Sequence, residues 1–293
     1  MRDLVKILFL LVILATTFIF KDTIANFFID NVIYNGSSKI LTYNEYYLAN
    51  DYLYVQNTDL DSASNYQDIL NIFYTTINSG DDSYSFYCDY NYCIDDLKLI
   101  TNDNDIIPNI NNFVHPYNAF DSINIDIGTT NKISIRVKKI YTKEQIEFIN
   151  NYINDFISKN INLSMNNYDK IKVFHDHIVN NTKYDENDSF KSHTAYNLIK
   201  SGISICNGYS DIMAIYLNAI GVKNYKITST NHIWNLVELD GTWYHLDMTW
   251  DDPIASDGKQ YLLHNFFMIS TNKLLELDKI EHNFDKNIYL EAR

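Results

Sequence analysis

Residues 232–250, HIWNLVELDGTWYHLDMTW, decide the fold of the last third of this chain. Asp240-Gly241 separates two runs that alternate in period two, the pattern of a β-hairpin closed by a two-residue turn. With Leu239 facing Thr242, the register sets Trp234 opposite Asp247. His232 lies two residues along the same face, so His232 and Asp247 become diagonal neighbours within side-chain reach. Ile233, Val237, Leu239, Tyr244, Leu246 and Met248 share the other face and read as core. The histidine and the carboxylate are therefore expected to point together, away from that apolar layer.

Just upstream, residues 202–221 read GISICNGYSDIMAIYLNAIG. Tyr209, Ile212, Met213, Tyr216 and Ile220 recur at helical spacing, and Gly221 follows where a left-handed residue ends a helix. Cys206 falls in the predicted first turn. Unpaired backbone N–H groups and the positive end of the helix dipole stabilise a thiolate there, and the same groups can receive a developing oxyanion. An isolated cysteine is more often a buried structural residue. A base and a carboxylate on the hairpin change that reading, because together the three suit a nucleophile, a base that takes its proton and a group that fixes the imidazole tautomer.

Elsewhere in the chain, Tyr168, Ile171, Phe174 and Ile178 predict a helix from about Asn167, Thr194 to Ile199 a second, and Asn224 to Thr228 a strand. Thr142 and Gln145 form a capping box ahead of Ile146, Ile149, Ile153 and Phe156. Ser122–Ile127 and Lys132–Val137 predict another hairpin about Gly128–Asn131. Tyr66, Ile69, Leu70, Phe73 and Ile77 predict a helix ending near Gly80, followed by a short strand, Tyr84–Tyr87. Leu97–Ile100 reads as helical, and an Asn/Asp-rich loop is expected from there to about Asn112. Residues 26–50 show no period and read as a stalk or lead-in. The region from about 40 to 160 offers no constellation for chemistry, and its expected role is to position or cover the C-terminal domain.

Composition narrows the function. The 293 residues are 46% hydrophobic with only 8 Gly and 3 Pro, which excludes collagen-like and low-complexity classes. The 23 basic and 37 acidic residues leave a net charge of −14. That balance repels a nucleic acid, whose sequence-independent affinity comes from Lys and Arg displacing counterions. Fourteen acidic residues and one base, Lys98, lie between Leu41 and Asn131, and such a run reads first as a solvated surface.

Arg2 and Lys6 precede an apolar run, Ile7 to Phe20, interrupted only by Thr16 and Thr17. This has the charged and apolar parts of a secretory signal, with Thr23 and Ala25 as one candidate pair of small residues for cleavage, and it is also at the short end of what spans a bilayer. Either reading sends Asn26 onward across a membrane, and the uncleaved anchor is the preferred one. In an oxidising compartment Cys88 and Cys93 are close enough in sequence to pair, leaving Cys206 as a free thiol. The sequence alone leaves that pair either bonded or reduced.

The strings Cys206-Asn207-Gly208-Tyr209-Ser210, His232-Ile233-Trp234-Asn235 and Trp243-Tyr244-His245-Leu246-Asp247, the last followed by Thr249-Trp250-Asp251-Asp252-Pro253, resemble the core of the transglutaminase-like superfamily. Tyr168 to Asp185 and His193-Thr194-Ala195-Tyr196 resemble bacterial members of it. The resemblance covers about Asn167 to Pro253. The tract around His115-Pro116-Tyr117 is similar to N-terminal regions of some secreted Firmicute members. What the resemblance implies is a papain-like Cys-His-Asp triad, carried over as Cys206, His232 and Asp247. The superfamily contains cross-linkers, peptidases, amidases and inactive relatives.

The expected architecture is α+β: a papain-like, transglutaminase-like core of helices packed on an antiparallel sheet, preceded by a smaller α+β domain and a hydrophobic segment. The expected boundaries are 1–25 for signal or anchor, 26–160 for the acidic Tyr/Asn-rich region and 161–293 for the catalytic domain. The expected function is extracytoplasmic, cysteine-dependent acyl transfer to water on a protein or peptide substrate, a cell-wall peptide among the options. Protein cross-linking is the alternative within the enzyme class, and a silent surface peptide-binding module the alternative outside it. No cofactor or metal is expected: no loop of the D-x-D-x-D-G kind is present, and His175 and His177, two apart on a helix, face different directions. Trp234, Trp243 and Trp250 read first as packing residues, Asp251 and Asp252 as ending a strand, and Tyr184 and His193 as neighbours of the triad by analogy only.

Overall fold

The computed structural model describes residues 16–21, 23, 41–128, 130–187, 193–254, 257 and 259–293. Most of the N-terminal signal or anchor segment lies outside these residues. No helix among the described residues is long and apolar enough to cross a membrane.

A four-stranded sheet forms in the N-terminal region from β1 (Ser62–Ala63), β2 (Ser83–Cys88), β3 (Phe120–Ile127) and β4 (Lys132–Lys139), in the order β1-β2-β4-β3. The β3–β4 hairpin is antiparallel as its alternation requires, and β1 joins β2 in parallel. Helix α1 (Tyr66–Ser79) begins where Asn65 accepts from the Asp68 N–H and ends at Gly80, whose φ of 80° needs a residue without Cβ. A Cβ at Gly80 would also sit 2.0 Å from the Asn44 side chain, so a second constraint fixes the glycine. Cys88 and Cys93 are disulfide-bonded, tying the end of β2 to the start of α2 (Cys93–Asn102).

Two expectations for this region are corrected. The supposed loop to Asn112 contains α3 (Ile106–Ile110) and a 3-10 turn over Asn111–Phe113, because Ile107, Ile110 and Phe113 are drawn into the core. From residue 41 the supposed stalk is packed chain: the half-buried Leu41 and Tyr46 lie against the two apolar clusters, and the backbone N–H groups of Leu48 and Thr42 are held by Asn78 and Asp81. Of the fourteen acidic residues between 41 and 131, eleven are exposed, which makes the charge a solvated face.

The C-terminal core comprises α4 (Lys143–Asn160), α5 (Asn167–Asn181), α6 (Ala195–Ser201), α7 (Cys206–Ala219) and an antiparallel sheet of β7 (Asn224–Thr228), β8 (Ile233–Leu239) and β9 (Thr242–Leu246). Two short strands, β5 (Lys183–Tyr184) and β6 (Ile203–Ser204), pair in parallel ahead of α7. The capping box at Thr142 and Gln145 forms with both hydrogen bonds. Leu239 faces Thr242, and Asp240 and Gly241 both take positive φ, as the two-residue turn demands. A final helix, α8 (Thr271–Leu277), lies against β9.

Both faces of this sheet are covered. Val237, Leu246 and Met248 join the helices in one apolar cluster. Trp234 and Leu236, on the His232 side, join a second that reaches from Tyr52 to Ala292 and includes the N-terminal sheet. The face expected to point away from the apolar layer is therefore buried too, because the N-terminal region and the C-terminal tail close over it. Burying Trp234 alone is worth on the order of 2–3 kcal/mol.

Candidate active site

Cys206 is the first residue of α7. The N-cap, Ile205, is extended and has no side-chain oxygen, so no side chain takes the first-turn N–H groups. The thiol is buried, free of any disulfide, and 3.7 Å from Asn207 Oδ1. Polar contacts hold the helix in place against the rest of the core. Asn235 Nδ2 donates to the Ser210 carbonyl at 3.0 Å, the Lys226 ammonium meets Asp211 at 2.6 Å, and the Tyr209 hydroxyl donates to Asp252. Tyr141 adds a second donor to Asp211 at 2.6 Å.

His232 and Asp247 stand at the two ends left open where β8 and β9 stop pairing. His232 Nε2 lies 2.5 Å from Asp247 Oδ2. The Asp247 N–H has left the hairpin and donates to the Phe266 carbonyl at 3.0 Å, and Oδ1 accepts from Thr249 and Trp250 N–H groups. The His232 ring stacks on Trp234, with centroids 5.6 Å apart. Trp234 is itself fixed, since its Nε1–H donates to His245 Nδ1 at 3.0 Å while His245 Nε2 meets Thr271 at 2.8 Å. Burial pushes His245 down to about 3, so that ring is neutral and acts as an acceptor.

Electrostatics couple His232 and Asp247 to their neighbours. Burial pulls His232 toward the neutral form, but the charge and hydrogen bond of Asp247 outweigh it, with a hydrogen bond and the charge of Cys206 adding to the rise. The result is a ring held well above the usual histidine range. Burial likewise works against the charge on Asp247, and His232 and then His282 hold it below the usual carboxylate range. Nε2 is committed to Asp247, and Nδ1 is the ring's other nitrogen.

The remaining candidates have structural partners. Asp251 accepts from His175 Nε2 at 3.1 Å and from the Phe266 N–H at 3.0 Å. Asp252 accepts from Tyr209 and Gln260, and burial raises it to about 6. His175 and His177 do face apart, His177 meeting Tyr152 at 2.7 Å. What the spacing argument missed is His264, which with His175 and Asp176 forms a set of ligand-type atoms within 4.8 Å of one another. Lys172 Nζ already stands between two of its members, 2.6 Å from Asp176 and 3.0 Å from His264. The second such set, His232, Asp247 and His282, is buried and hydrogen-bonded within itself. A cavity of about 180 Å³ lined by Lys183, Tyr184, Asp252 and Gln260 adjoins the Tyr209 side of α7.

The family model of the transglutaminase-like superfamily matches residues 155–248, about a third of the chain. No curated protein matches it. Among solved structures, the crystal structure of a TGase is similar at 16% identity and a TM-score of 0.34, over 48% of each chain. A Cytophaga hutchinsonii protein provisionally assigned as a cysteine protease is similar at 11% identity and a TM-score of 0.30, over 48% of this chain and 65% of that one. This chain thus spans less than two thirds of either. At such TM-scores neither likeness bears on its chemistry.

Proposed function

We propose, from the match of residues 155–248 to the model of the transglutaminase-like superfamily, that the protein is an extracytoplasmic cysteine-dependent acyl-transfer enzyme that cleaves amide or peptide bonds. What supports this reading is a free thiol at an uncapped helix start, Cys206, which helps to raise His232, together with the buried aspartate that holds the His232 ring at 2.5 Å. Cys206 Sγ attacks the carbonyl carbon of an amide, and first-turn N–H groups of α7 receive the oxyanion. The C–N bond breaks, the amine leaves with the proton from His232, and a thioester remains. Water then attacks the thioester, gives a proton to His232 and releases the acid as the C–S bond breaks. Asp247 keeps His232 in the orientation and tautomer both steps need.

The Cys88–Cys93 disulfide favours an oxidising compartment, in keeping with the basic, apolar start of the chain. Protease added to intact cells should then degrade the C-terminal domain, and full protection together with cytosolic fractionation overturns the location.

Because the superfamily includes inactive relatives, activity itself needs testing. A panel of amide and peptide probes, with and without a labelled primary amine, should yield a Cys206 adduct by intact mass and a free acid product. Predominant amine incorporation overturns hydrolysis in favour of cross-linking. Identical behaviour of wild type and Cys206→Ala overturns the enzyme reading.

A further inference from the structure

Asp247 serves more than one histidine. Its Oδ1 accepts from the N–H groups of Thr249 at 2.9 Å and Trp250 at 3.3 Å, and its Oδ2 accepts from His232. A second ring reaches that same Oδ2: His282 Nε2 stands 3.0 Å away. His282 comes from the C-terminal segment, beyond the residues that match the family, and is wholly buried. Its ring stacks on Phe266 with centroids 5.2 Å apart and presents its edges to Trp234 and Trp250. Its other nitrogen, Nδ1, meets Asp278 Oδ2 at 2.9 Å, and the Glu281 N–H holds that oxygen at 2.8 Å.

A carboxylate accepts only, so both ring contacts on Oδ2 are donations from N–H. Rotation about the Cβ–Cγ bond of Asp247 would swing the lone pairs of Oδ2 away from His232. That rotation moves both oxygens together, so the backbone donors on Oδ1 and the His282 donor on Oδ2 restrain one torsion from its two ends. We propose that His282 is a positioning residue for the Cys206–His232 pair: its Nε2–H fixes Asp247 Oδ2 so that the remaining lone pair is aimed at His232 Nε2. The line of fixed groups runs from the end of α8 through Asp278, His282, Asp247 and His232 to the thiol. The proposal rests on the acyl-transfer reading above, because it concerns how that reading's base is held.

Two substitutions separate positioning from packing. His282→Phe keeps the ring among Phe266, Trp234 and Trp250 but removes the donor, whereas His282→Gln keeps an N–H near the position of Nε2. The rate of Cys206 alkylation by iodoacetamide at neutral pH, followed by intact mass, needs no knowledge of the substrate. Positioning should lower the rate about tenfold in His282→Phe, part of the ~10²–10⁴-fold that general-base catalysis supplies, with His282→Gln recovering most of the loss. A His282→Phe rate equal to wild type overturns the proposal while leaving the triad intact. A wild-type rate no faster than that of His232→Ala overturns the triad reading itself. Should neither variant fold, ¹⁵N-histidine spectra of the wild-type protein decide: the His282 Nε2–H signal should be present and should shift when Cys206 is alkylated, and an unprotonated Nε2 or an unmoved signal overturns the proposal.

Discussion

Two clusters of histidine and aspartate are built around the turn that follows β9, and they differ in what is left over. In one, His232 gives Nε2 to Asp247; in the other, His175 gives Nε2 to Asp251 at 3.1 Å, four residues along. Both histidines and both aspartates are buried. The difference is the second nitrogen. His175 Nδ1 meets another carboxylate, Asp176, at 3.0 Å, so the ring is held at both ends and has no nitrogen free for proton transfer. Among the described residues no hydrogen bond joins His232 Nδ1 to a carboxylate, and the proposed reading gives that nitrogen to the Cys206 thiol. Residue type and burial are alike, and what sets the chemistry apart is the partner of one ring nitrogen.

The widest gap should appear in thiol reactivity. Cys206→Ala should abolish labelling by iodoacetamide and any acyl transfer, and His232→Ala should lower the labelling rate by ~10²-fold or more, the range general-base groups contribute. His175→Ala should leave the rate of folded protein within about threefold, since its ring does not touch the thiol's partners. Intact-mass time courses on the three variants check this, and a loss in His175→Ala equal to that in His232→Ala breaks the comparison.

Stability should separate the clusters less. Asp247→Ala leaves two buried ring N–H donors, those of His232 and His282, without their acceptor, and breaking a buried charged pair in this way costs ~3–5 kcal/mol. Asp251→Ala strands His175 and the Phe266 N–H and should cost ~1–3 kcal/mol, the cost of unsatisfied buried groups. Urea unfolding midpoints measure both. Only the first substitution should also slow alkylation, so an equal slowing by Asp251→Ala would show that the two clusters act through the fold as a whole.

The hairpin and the helix start were readable because local rules settle them. Asp240-Gly241 fixes the turn, the alternation fixes the register, and the first position of α7 follows from the apolar spacing behind Cys206. His282 carried no such sign. It is a lone histidine in a segment without periodicity, and packing against Phe266 and two tryptophans brings it to Asp247 from 35 positions away along the chain. The same holds for the second face of the sheet, where His232 lies beneath a cover supplied by residues as distant as Tyr52. In residues 103–112 the Asn/Asp content favoured a loop, and burial of Ile107 and Ile110 overrode that local preference.

Proton linkage gives a third way to part the clusters. His232 is raised from its ordinary 6.5 to about 10: burial opposes the rise, and Asp247 followed by Cys206 drives it. A raised folded value means the stabilisation is complete below about pH 6.5 and is lost as pH climbs through about 10. Asp247 is depressed, so its contribution is present above 3.8 and lost as pH falls further. Asp252 has the opposite sign to Asp247, because burial raises it to about 6 and its contribution fades as pH climbs from 3.8 through that value. His232→Phe leaves Asp252 in place, so its effect cancels in the difference between variant and wild type. Urea midpoints taken from pH 5 to pH 10 should show wild type losing its advantage over His232→Phe at the alkaline end. A constant difference would mean that His232 does not carry a proton through neutral pH.

The smallest effect should come from the open edge of the His175 cluster. Lys172 lies 2.6 Å from Asp176, and His264 approaches the other oxygen of that carboxylate at 2.7 Å. Their side chains are 38%, 26% and 36% exposed, so water screens the charges and the long lysine side chain pays rotamer entropy to stay in place. Lys172→Ala should therefore shift stability by less than ~1 kcal/mol, and a double-mutant cycle with His264→Ala should return a coupling of ~0.2–1 kcal/mol, the range for exposed pairs. Cys206 labelling should not change, because among the described residues the hydrogen bonds from Lys172 through His175 run to Asp251 and the Phe266 N–H and reach neither His232 nor the carboxylate of Asp247. A loss as large as that of Asp247→Ala would mean that Lys172 compensates the buried charge of the whole turn, and the distinction between a cluster that holds the fold and one that holds a nucleophile would then rest on Cys206 alone.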